Sequence, residues 1–575
     1  MPDLSNNRFA ENPINLDIQR SIFNMPHSVK FTGNVGELLV FENFEVLPGD
    51  TISIDTSKVV RMQPLVTPIM DDVFLDTYYF FVPTRLIWNH WKAFWGENEL
   101  GPWYPSVEYT VPQLQIPSGG FDVGTIADYF GIPPKAGAGK KISALPFRAY
   151  AKICDDWFRD ENLMNPVNVS VGDSDVVGVN TGDQVTDIQL GGKPFIVCKY
   201  FDYFTACLPG AQKAAGPTVE FALRGLLPVN AYKSKTNMEI GEAYDSIGGM
   251  TMVKEFGTST AYPGSNSTLG VNGSNGGVFN TSTSASSSNY LTPSNLFAKL
   301  NNINVFSINE LREAFAVQRY YEKLARGGSR YIEFIKSFFN VDSPDARLQR
   351  SEYLGGNRLP LNVSQVEQTS ASQTGLTPQG NLTGISHTGE VHSDFTKSFT
   401  EHGYIIGVCV ARYHHSYQQS VERTWFRKTK FDYYNPTFAN LGEQGVFEKE
   451  IYFNNTDNVD VPNIFGYQEA WADYRYKPNR VAGEMRSVAT TPLDMWHLAD
   501  NYSSVPYLSD SWIREDKTML DRCLAVTSSV SNQLIFDFYF LRHFQIRIIF
   551  IDSKCRIKKC PAAKTTVINY YPYLS

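Results

Sequence analysis

Alternation of apolar and polar positions marks both ends of the chain, and a helical period marks its middle. Residues 28–82 read as strands: Gly36 to Val46 is a mostly apolar run closed by Pro48-Gly49-Asp50, a turn tripeptide. Beyond it Ile52 and Ile54 alternate with polar neighbours, so strand, turn and strand are predicted. The stretch DVFLDTYYFFV at 72–82 sets Phe74, Tyr78, Phe80 and Val82 on one side and Val73, Leu75, Tyr79 and Phe81 on the other. A strand apolar on both faces is buried on both, at the centre of a sandwich or beneath an insertion. Strand patterning resumes at Tyr404–Tyr413 and at Gln533–Phe540, where Leu534, Phe536, Phe538 and Phe540 share a face.

Between these ends the pattern changes. Pro83 ends the 72–82 strand, and Thr84 is placed to cap a short helix whose face carries Ile87, Trp91, Phe94 and Trp95, with Trp88 beside them. Such an aromatic stripe is read as packing against the sheet or a neighbouring chain, not as a cofactor site. Residues 100–140, rich in Pro and Gly, are a surface excursion, and Phe147–Asn162 is a helical segment. The strongest helix signal is the capping box Ser307-Ile308-Asn309-Glu310, followed by Leu311, Ala314, Phe315, Tyr321 and Ala325 on one face and stopped by Gly327-Gly328. Tyr331–Phe339 is a further amphipathic stretch.

Phe256–Ala298 contains no charged residue and is dominated by Ser, Thr, Asn and Gly. A flexible linker fits this composition, and so does a partly ordered surface loop, since Tyr262, Leu269, Val271, Val278, Phe279 and Tyr290 punctuate it. It is taken as part of an insertion that projects from the body. Early strands, late strands and a helix-bearing, loop-rich middle predict a mainly β chain, one β-sandwich interrupted by large insertions.

Composition narrows the function classes. A length of 575 residues requires several domains or one domain with large insertions. Aromatics at 14% against 19% charged residues favour large buried or subunit-facing surfaces. A net charge of −8 excludes an electrostatic DNA binder of the repressor type, so any nucleic-acid contact must be local. The seven cysteines form no CxxC pair and read as reduced thiols. The polar start MPDLSNNRFAENP lacks the apolar core of a signal peptide, and no apolar run long enough for a membrane span is present.

The common chemical signatures fail together. Lys135–Ser143 (KAGAGKKIS) resembles a phosphate loop only superficially, because Pro134 stands where the first glycine is needed and no Ser or Thr follows Lys140. His387, His392, His402, His414 and His415 fall close together, but there is no HExxH and no Cys/His knuckle. The rings of His414 and His415 are expected on opposite faces of a strand, as solvent-facing or interface imidazoles. No nucleophile elbow or dinucleotide loop appears, and nothing points to a catalytic carboxylate pair. No catalytic, cofactor-binding or metal residue is therefore named, and the chain is read as a non-enzyme. After Phe540, Arg542, Arg547, Lys554, Arg556, Lys558, Lys559 and Lys564 face one acidic residue, Asp552, so 541–575 reads as a basic tail. It is either simply solvated or in contact with phosphates.

Several segments, in order along nearly the whole chain, resemble the major capsid protein of gokushoviruses, a branch of the microviruses. They are Arg20-Ser21-Ile22-Phe23, EVLPGD at 45–50, FFVPTRLIW at 80–88, LPFRAYAKICDDWFRDENL at 145–163 and DYFTACLP at 202–209. The most specific are ARGGSRYIE at 325–333, SPDARLQRSEYLGG at 343–356 and FGYQEAWADYRYKPNRVAGEMRS at 465–487. The resemblance implies an eight-stranded viral jelly roll with large loop and helix-bearing insertions, a single domain over 1–575. It implies self-assembly into a T=1 icosahedral shell around the circular single-stranded DNA of a small bacteriophage. The expected partners are further copies of the chain, viral minor or pilot and internal scaffolding proteins, the packaged DNA and a bacterial host surface receptor. The expected location is the virion, after synthesis and assembly in the host cytoplasm.

In gokushoviruses an insertion forms a protrusion at the three-fold axes. Residues 214–300 are its counterpart by position, with Tyr262, Leu269, Val278, Phe279 and Tyr290 as candidate host contacts. Arg8, Arg20, Arg542, Arg547, Lys558 and Lys559 are the candidates for DNA contact on the inner surface. After DFYF at 537–540 the chain departs from the short Pro-rich and apolar ending of the family; a shifted frame, read-through or lineage divergence would each account for it. A second reading, a carbohydrate-binding or glycan-cleaving receptor-binding β-protein, fits the aromatic richness and the Pro/Gly loops as well.

Overall fold

The computed structural model describes residues 21–97, 107–213, 308–328, 330–370, 379–439, 441–453 and 463–546, with short strands between 226 and 299. The chain divides into two compact units, one of Met1–Lys213 with Tyr321–Ser575 and one of Ala214–Tyr320.

The larger unit is organised by two four-stranded antiparallel sheets. Its principal strands are β1 (Ser21–Gly33), β2 (Leu39–Val46), β3 (Thr51–Met62), β4 (Val73–Pro83), β5 (Glu352–Pro360), β6 (Thr388–Ser398), β7 (Gly403–Tyr413) and β8 (Leu534–Ile546). The first sheet has the order β1-β8-β3-β6 and the second β5-β4-β7-β2. The predicted strand, turn and strand at 36–54 is present, but it is not a hairpin: β2 pairs with β7 in one sheet and β3 with β8 and β6 in the other. Gly49 adopts a positive φ of 93°, and the Asp50 carboxylate accepts the Leu47 N–H at 3.0 Å, so this turn carries the chain across the core.

Side-chain alternation explains how each sheet is covered. Along β3 the residues Ile52, Ile54, Val60 and Met62 point into the core while their neighbours face outward. On β8 Leu534, Phe536, Phe538 and Phe540 are buried, whereas Ile535 and Tyr539 are exposed, so the outer face of this sheet is wet. The second sheet is buried on both sides. Val73, Leu75, Tyr79 and Phe81 of β4 join the core between the sheets. Phe80 and Val82 join a second core with Ile406, Val408 and Val410 of β7 and with Leu145, Phe147, Tyr150 and Ile153 of helix α1 (Leu145–Ile153). Both positions considered for the 72–82 strand therefore hold at once. It is central in its sheet, and the segment following it covers its far face.

Ring packing joins strands within the first sheet and ties the two sheets together. Phe31 stacks on Phe536 at 4.7 Å, and Phe41 of the second sheet meets Phe538 edge-on at 5.3 Å. Such pairs contribute about 0.5–1.5 kcal/mol each beyond the area they bury. The same core encloses an ion pair: the Lys58 ammonium lies 3.6 Å from Asp394 and donates to Thr77 Oγ1 at 2.8 Å, and Thr56, which also reaches Asp394, bonds Tyr79 Oη at 2.9 Å.

Several local expectations need correction. Thr84 does not cap a helix; it opens a short 3₁₀ turn, Thr84–Leu86, preceded by Pro83, and a separate four-residue helix follows at Trp91–Phe94. The aromatic stripe is split accordingly: Ile87 and Trp88 are buried, while Trp95 is 61% exposed and stacks on His402 at 4.8 Å. The segment from Phe147 is helical only to Ile153, then closes in a π-turn, Cys154–Phe158. Helix α2 spans Ile308–Gly327 and ends before Gly328 at φ 83°; Ser307 of its expected capping box lies outside the described residues. Helix α3 occupies Tyr331–Phe339 as predicted.

His414 and His415 do diverge, but neither stands free in solvent. His414 stacks on Tyr200 at 4.9 Å, and His415 is enclosed between Asp500 and Glu515, 3.0 Å from each. The five cysteines in the described residues, Cys154, Cys198, Cys207, Cys409 and Cys523, are buried free thiols. In the smaller unit three short antiparallel pairs are formed, Leu269–Val271 with Val278–Asn280, Leu291–Pro293 with Met252–Lys254 and Phe297–Lys299 with Leu226–Pro228.

Candidate assembly surface

Two exposed aromatic surfaces of the larger unit stand out. The first is α3, whose sequence YIEFIKSFF is mostly apolar yet buries no residue. Tyr331 and Phe339 are each 68% exposed. Phe334 packs on Phe338 at 4.7 Å, and the Lys323 ammonium sits 4.6 Å from the Phe338 ring. Arg330 anchors the helix start by donating to the Asp155 carbonyl at 2.6 Å and pairing with Glu161 at 2.8 Å. Asn340, left-handed at φ 54°, terminates it. A helix held this firmly, with Tyr331 and Phe339 in solvent and Ile332, Phe334, Ile335 and Phe338 only half-buried, offers an apolar face to another surface.

The second surface comes from two loops, 419–439 and 471–488. Short 3₁₀ turns at Arg423–Phe426, Lys430–Asp432, Pro436–Phe438 and Ala472–Tyr474 set its shape. Beneath it, Arg423 donates to the Gly445 carbonyl at 2.8 Å and pairs with Glu450 at 3.3 Å; burial pushes the Glu450 carboxyl up, against the pull of Arg423. Arg427 pairs with Asp473 and lies 4.4 Å from the Tyr474 ring. Trp471 Nε1–H donates to the Phe438 carbonyl at 3.0 Å, and the Tyr434 N–H donates to Tyr474 Oη at 3.2 Å, so the two loops are joined. On the outside Trp425 is 76% exposed, with Phe431, Tyr433, Tyr434, Tyr474 and Tyr476 also exposed. Lys477 and Arg480 share Glu422 at 3.1 and 3.2 Å.

The candidate DNA-contact residues are not brought together here. Arg542 lies on β8, because the strand continues past Phe540 to Ile546 and the supposed tail begins inside the sheet. Alternation places Arg542 on the same side as Phe540 and Phe544, where its side chain is 11% exposed. It donates to Glu42 at 2.8 Å, and His27 meets the same carboxylate at 2.7 Å. Burial lowers the Arg542 pKa in spite of Glu42. Its guanidinium is thus engaged within the subunit. Arg8, Arg20, Arg547, Lys558 and Lys559 lie outside the described residues, as do Tyr262 and Tyr290. Leu269, Val278 and Phe279 sit on one antiparallel ladder of the smaller unit.

Among the described residues no cluster of three or more His, Cys, Asp or Glu side chains is placed to hold a metal, and no helix is long and apolar enough to cross a membrane. The sequence reading missed the two-loop surface, although RTWFRKTKFDYY at 423–434 interleaves basic and aromatic residues.

Residues 14–551 match the family described as capsid protein (F protein), a span that includes all of β8. The chain is 43% identical over 532 residues to capsid protein VP1 of Spiroplasma virus 4, covering 91% of this chain and 93% of that protein. It is 38% identical over 588 residues to capsid protein VP1 of Chlamydia phage 1, covering 94% and 96%. It is also 38% identical over 542 residues to capsid protein VP1 of Bdellovibrio phage phiMH2K, covering 92% and 94%. With a mainly β fold, a sandwich core and aromatic surfaces left open, the chain belongs to this phage F-protein family and is a structural capsid protein, not an enzyme.

Proposed function

We propose that this chain closes a T=1 icosahedral shell, one copy per asymmetric unit, around the circular single-stranded DNA of a small bacteriophage. The observation that carries the reading is the strand order. With β1 to β8 taken in chain order, β1-β8-β3-β6 facing β5-β4-β7-β2 is the wiring expected of an eight-stranded viral jelly roll. Large insertions follow β4 and β7. The exposed apolar face of α3 supports contacts between identical subunits, since contacts of one chain about symmetry axes close a shell.

The projecting insertion 214–300 is assigned to the host surface receptor, with Tyr262, Leu269, Val278, Phe279 and Tyr290 as contact residues. The charge-free stretch Phe256–Ala298 within it and its place in a separate compact unit, 214–320, support this division of labour. Minor or pilot and internal scaffolding proteins join assembly in the host cytoplasm. Of the inner-surface candidates, Arg8, Arg20, Arg547, Lys558 and Lys559 remain assigned to DNA.

Electron microscopy of the purified chain, alone and co-expressed with its genome neighbours, tests the reading. Uniform small shells bearing projections are expected. A well-folded chain that stays monomeric at every salt and concentration, with viral partners supplied, would overturn it.

A further inference from the structure

The two-loop surface at 419–439 and 471–488 has a chemistry of its own. The segments 422–432 and 473–486 hold eight Lys and Arg against four Asp and Glu, in a chain whose net charge is −8. Arg475 is paired with Glu469, and four of the other cations fall into two classes. Arg423 and Arg427 are spent on Glu450 and Asp473 beneath the surface, where they hold the loops in shape. Lys477 and Arg480 converge on one carboxylate, Glu422, so the pair leaves an uncompensated positive charge at the rim. Lys430 lies 5.1 Å from the exposed Phe431 ring.

The surface is also grooved. A cleft of about 240 Å³ is bounded by Trp425, Pro478, Arg480 and Arg486. A second, of about 210 Å³, is bounded by Tyr474, Tyr476 and Lys477 and floored by Glu450 and Asp473, which Arg423 and Arg427 neutralise; both clefts share Val421, Glu422 and Pro478, so they adjoin. Exposed rings therefore line a short groove with a surplus of cations, Arg423, Arg475, Lys477, Arg480 and Arg486 against Glu422, Glu450 and Asp473.

We propose that this groove binds single-stranded nucleic acid, with unpaired bases stacking on Trp425 and Tyr476 and phosphates meeting Lys477, Arg480 and Arg486. The inference rests on the capsid reading above and gives the packaged strand a seat on the described part of the chain. Exposed rings interleaved with cations along a groove are the composition of a sequence-tolerant single-strand platform. A duplex hides its base faces and would leave the rings unused. Interfaces between copies of a chain are likewise rich in aromatic rings and Arg, but their cores are depleted in Lys, Asp and Glu, whereas Lys430, Lys477 and Glu422 stand among these rings.

The test uses the full chain and a fluorescent oligo-dT of about 20 nucleotides. Salt-dependent binding that exceeds binding to a duplex of equal length is expected. Trp425→Ala should weaken it about tenfold. Arg480→Gln with Arg486→Gln should flatten the dependence of log affinity on log salt, since each lost phosphate contact removes about 0.7 from the single-strand slope. Shells of Trp425→Ala that form normally but carry less DNA would support the assignment. Equal dT binding by wild type and variants, preference for the duplex, or loss of shells with dT binding unchanged would overturn it, the last making the groove a subunit contact. Failure of the wild-type chain to form shells would count against the T=1 reading instead, since dT binding is measured on the unassembled chain.

Discussion

The His415 imidazole and the Asp500 carboxylate meet at 3.0 Å, Nδ1 to Oδ1, with both side chains closed off from solvent. Glu515 takes the other ring nitrogen at 3.0 Å, and Lys199 and Tyr502 reach Asp500 at 3.2 and 2.7 Å. Burial opposes a charged imidazole, yet Glu515 and Asp500 together hold His415 up at about 9. Burial likewise opposes ionised Asp500, but Lys199 and His415 keep it well below the usual carboxylate range. Segments around 199, 415, 500 and 515 are thereby joined through charge.

The pH dependence follows from these directions. A His pKa raised above the unfolded value of about 6.5 gives stabilisation that is complete below that pH and is lost as pH rises through about 9. The Asp500 contribution has the opposite sense, present above about pH 3.9 and lost as pH falls. His415→Ala leaves two carboxylates facing each other's charge and should cost about 3–5 kcal/mol at pH 7. The difference in melting temperature between wild type and His415→Ala, followed from pH 6.5 to 9.5, should shrink; a flat difference would show a neutral imidazole.

Lys58 and Asp394 make a second buried pair, inside the sandwich. Lys58→Met alone should destabilise the subunit by about 3–5 kcal/mol because it strands the carboxylate. Lys58→Met with Asp394→Leu should recover most of that loss, since apolar replacement of both partners is often neutral. Denaturant midpoints of the two variants measure the difference, and equal midpoints would show that Asp394 is satisfied without the lysine by Thr56 and by His392, whose Nδ1 lies 3.0 Å from it.

Gly356 of β5 lies against the Thr77 backbone of β4, and a Cβ there would collide with the Thr77 carbonyl and the Tyr78 Cα. Gly356→Ala should therefore part the β4–β5 pairing and sharply lower soluble yield. Wild-type yield and an unchanged melting temperature would refute the close approach.

The apolar face of α3 separates assembly from folding. Phe339→Glu changes an exposed side chain, so the melting temperature of the subunit should shift little, corresponding to about 0.5 kcal/mol or less. Shell yield by sedimentation should fall; normal shells would remove α3 from the contact surface.

Deleting 256–298 tests the proposed insertion. Particles should still form while attachment to host cells is lost. Loss of particles instead would place this stretch in the shell.

Sequence alone determined much of this protein. Alternation marked β3 and β8, an apolar strand run marked β7, the two-sided apolar pattern marked β4 as doubly buried, and helical spacing with Gly327-Gly328 marked α2 and α3, because these patterns are local properties of the backbone. The ordered capsid-like segments established the family. Tertiary structure decided what depends on partners distant in the chain. Alternation says which way a side chain points and not which sheet its strand joins, so the 48–50 turn could be recognised but its crossing between sheets could not. Arg542 looked like the start of a basic tail because its partner, Glu42, lies on β2, some five hundred residues away. His415 looked like a surface histidine because Asp500 and Glu515 meet it only in the folded chain. The groove at Trp425 needs two loops whose cations and rings complement each other only when Arg427 and Asp473 have joined them.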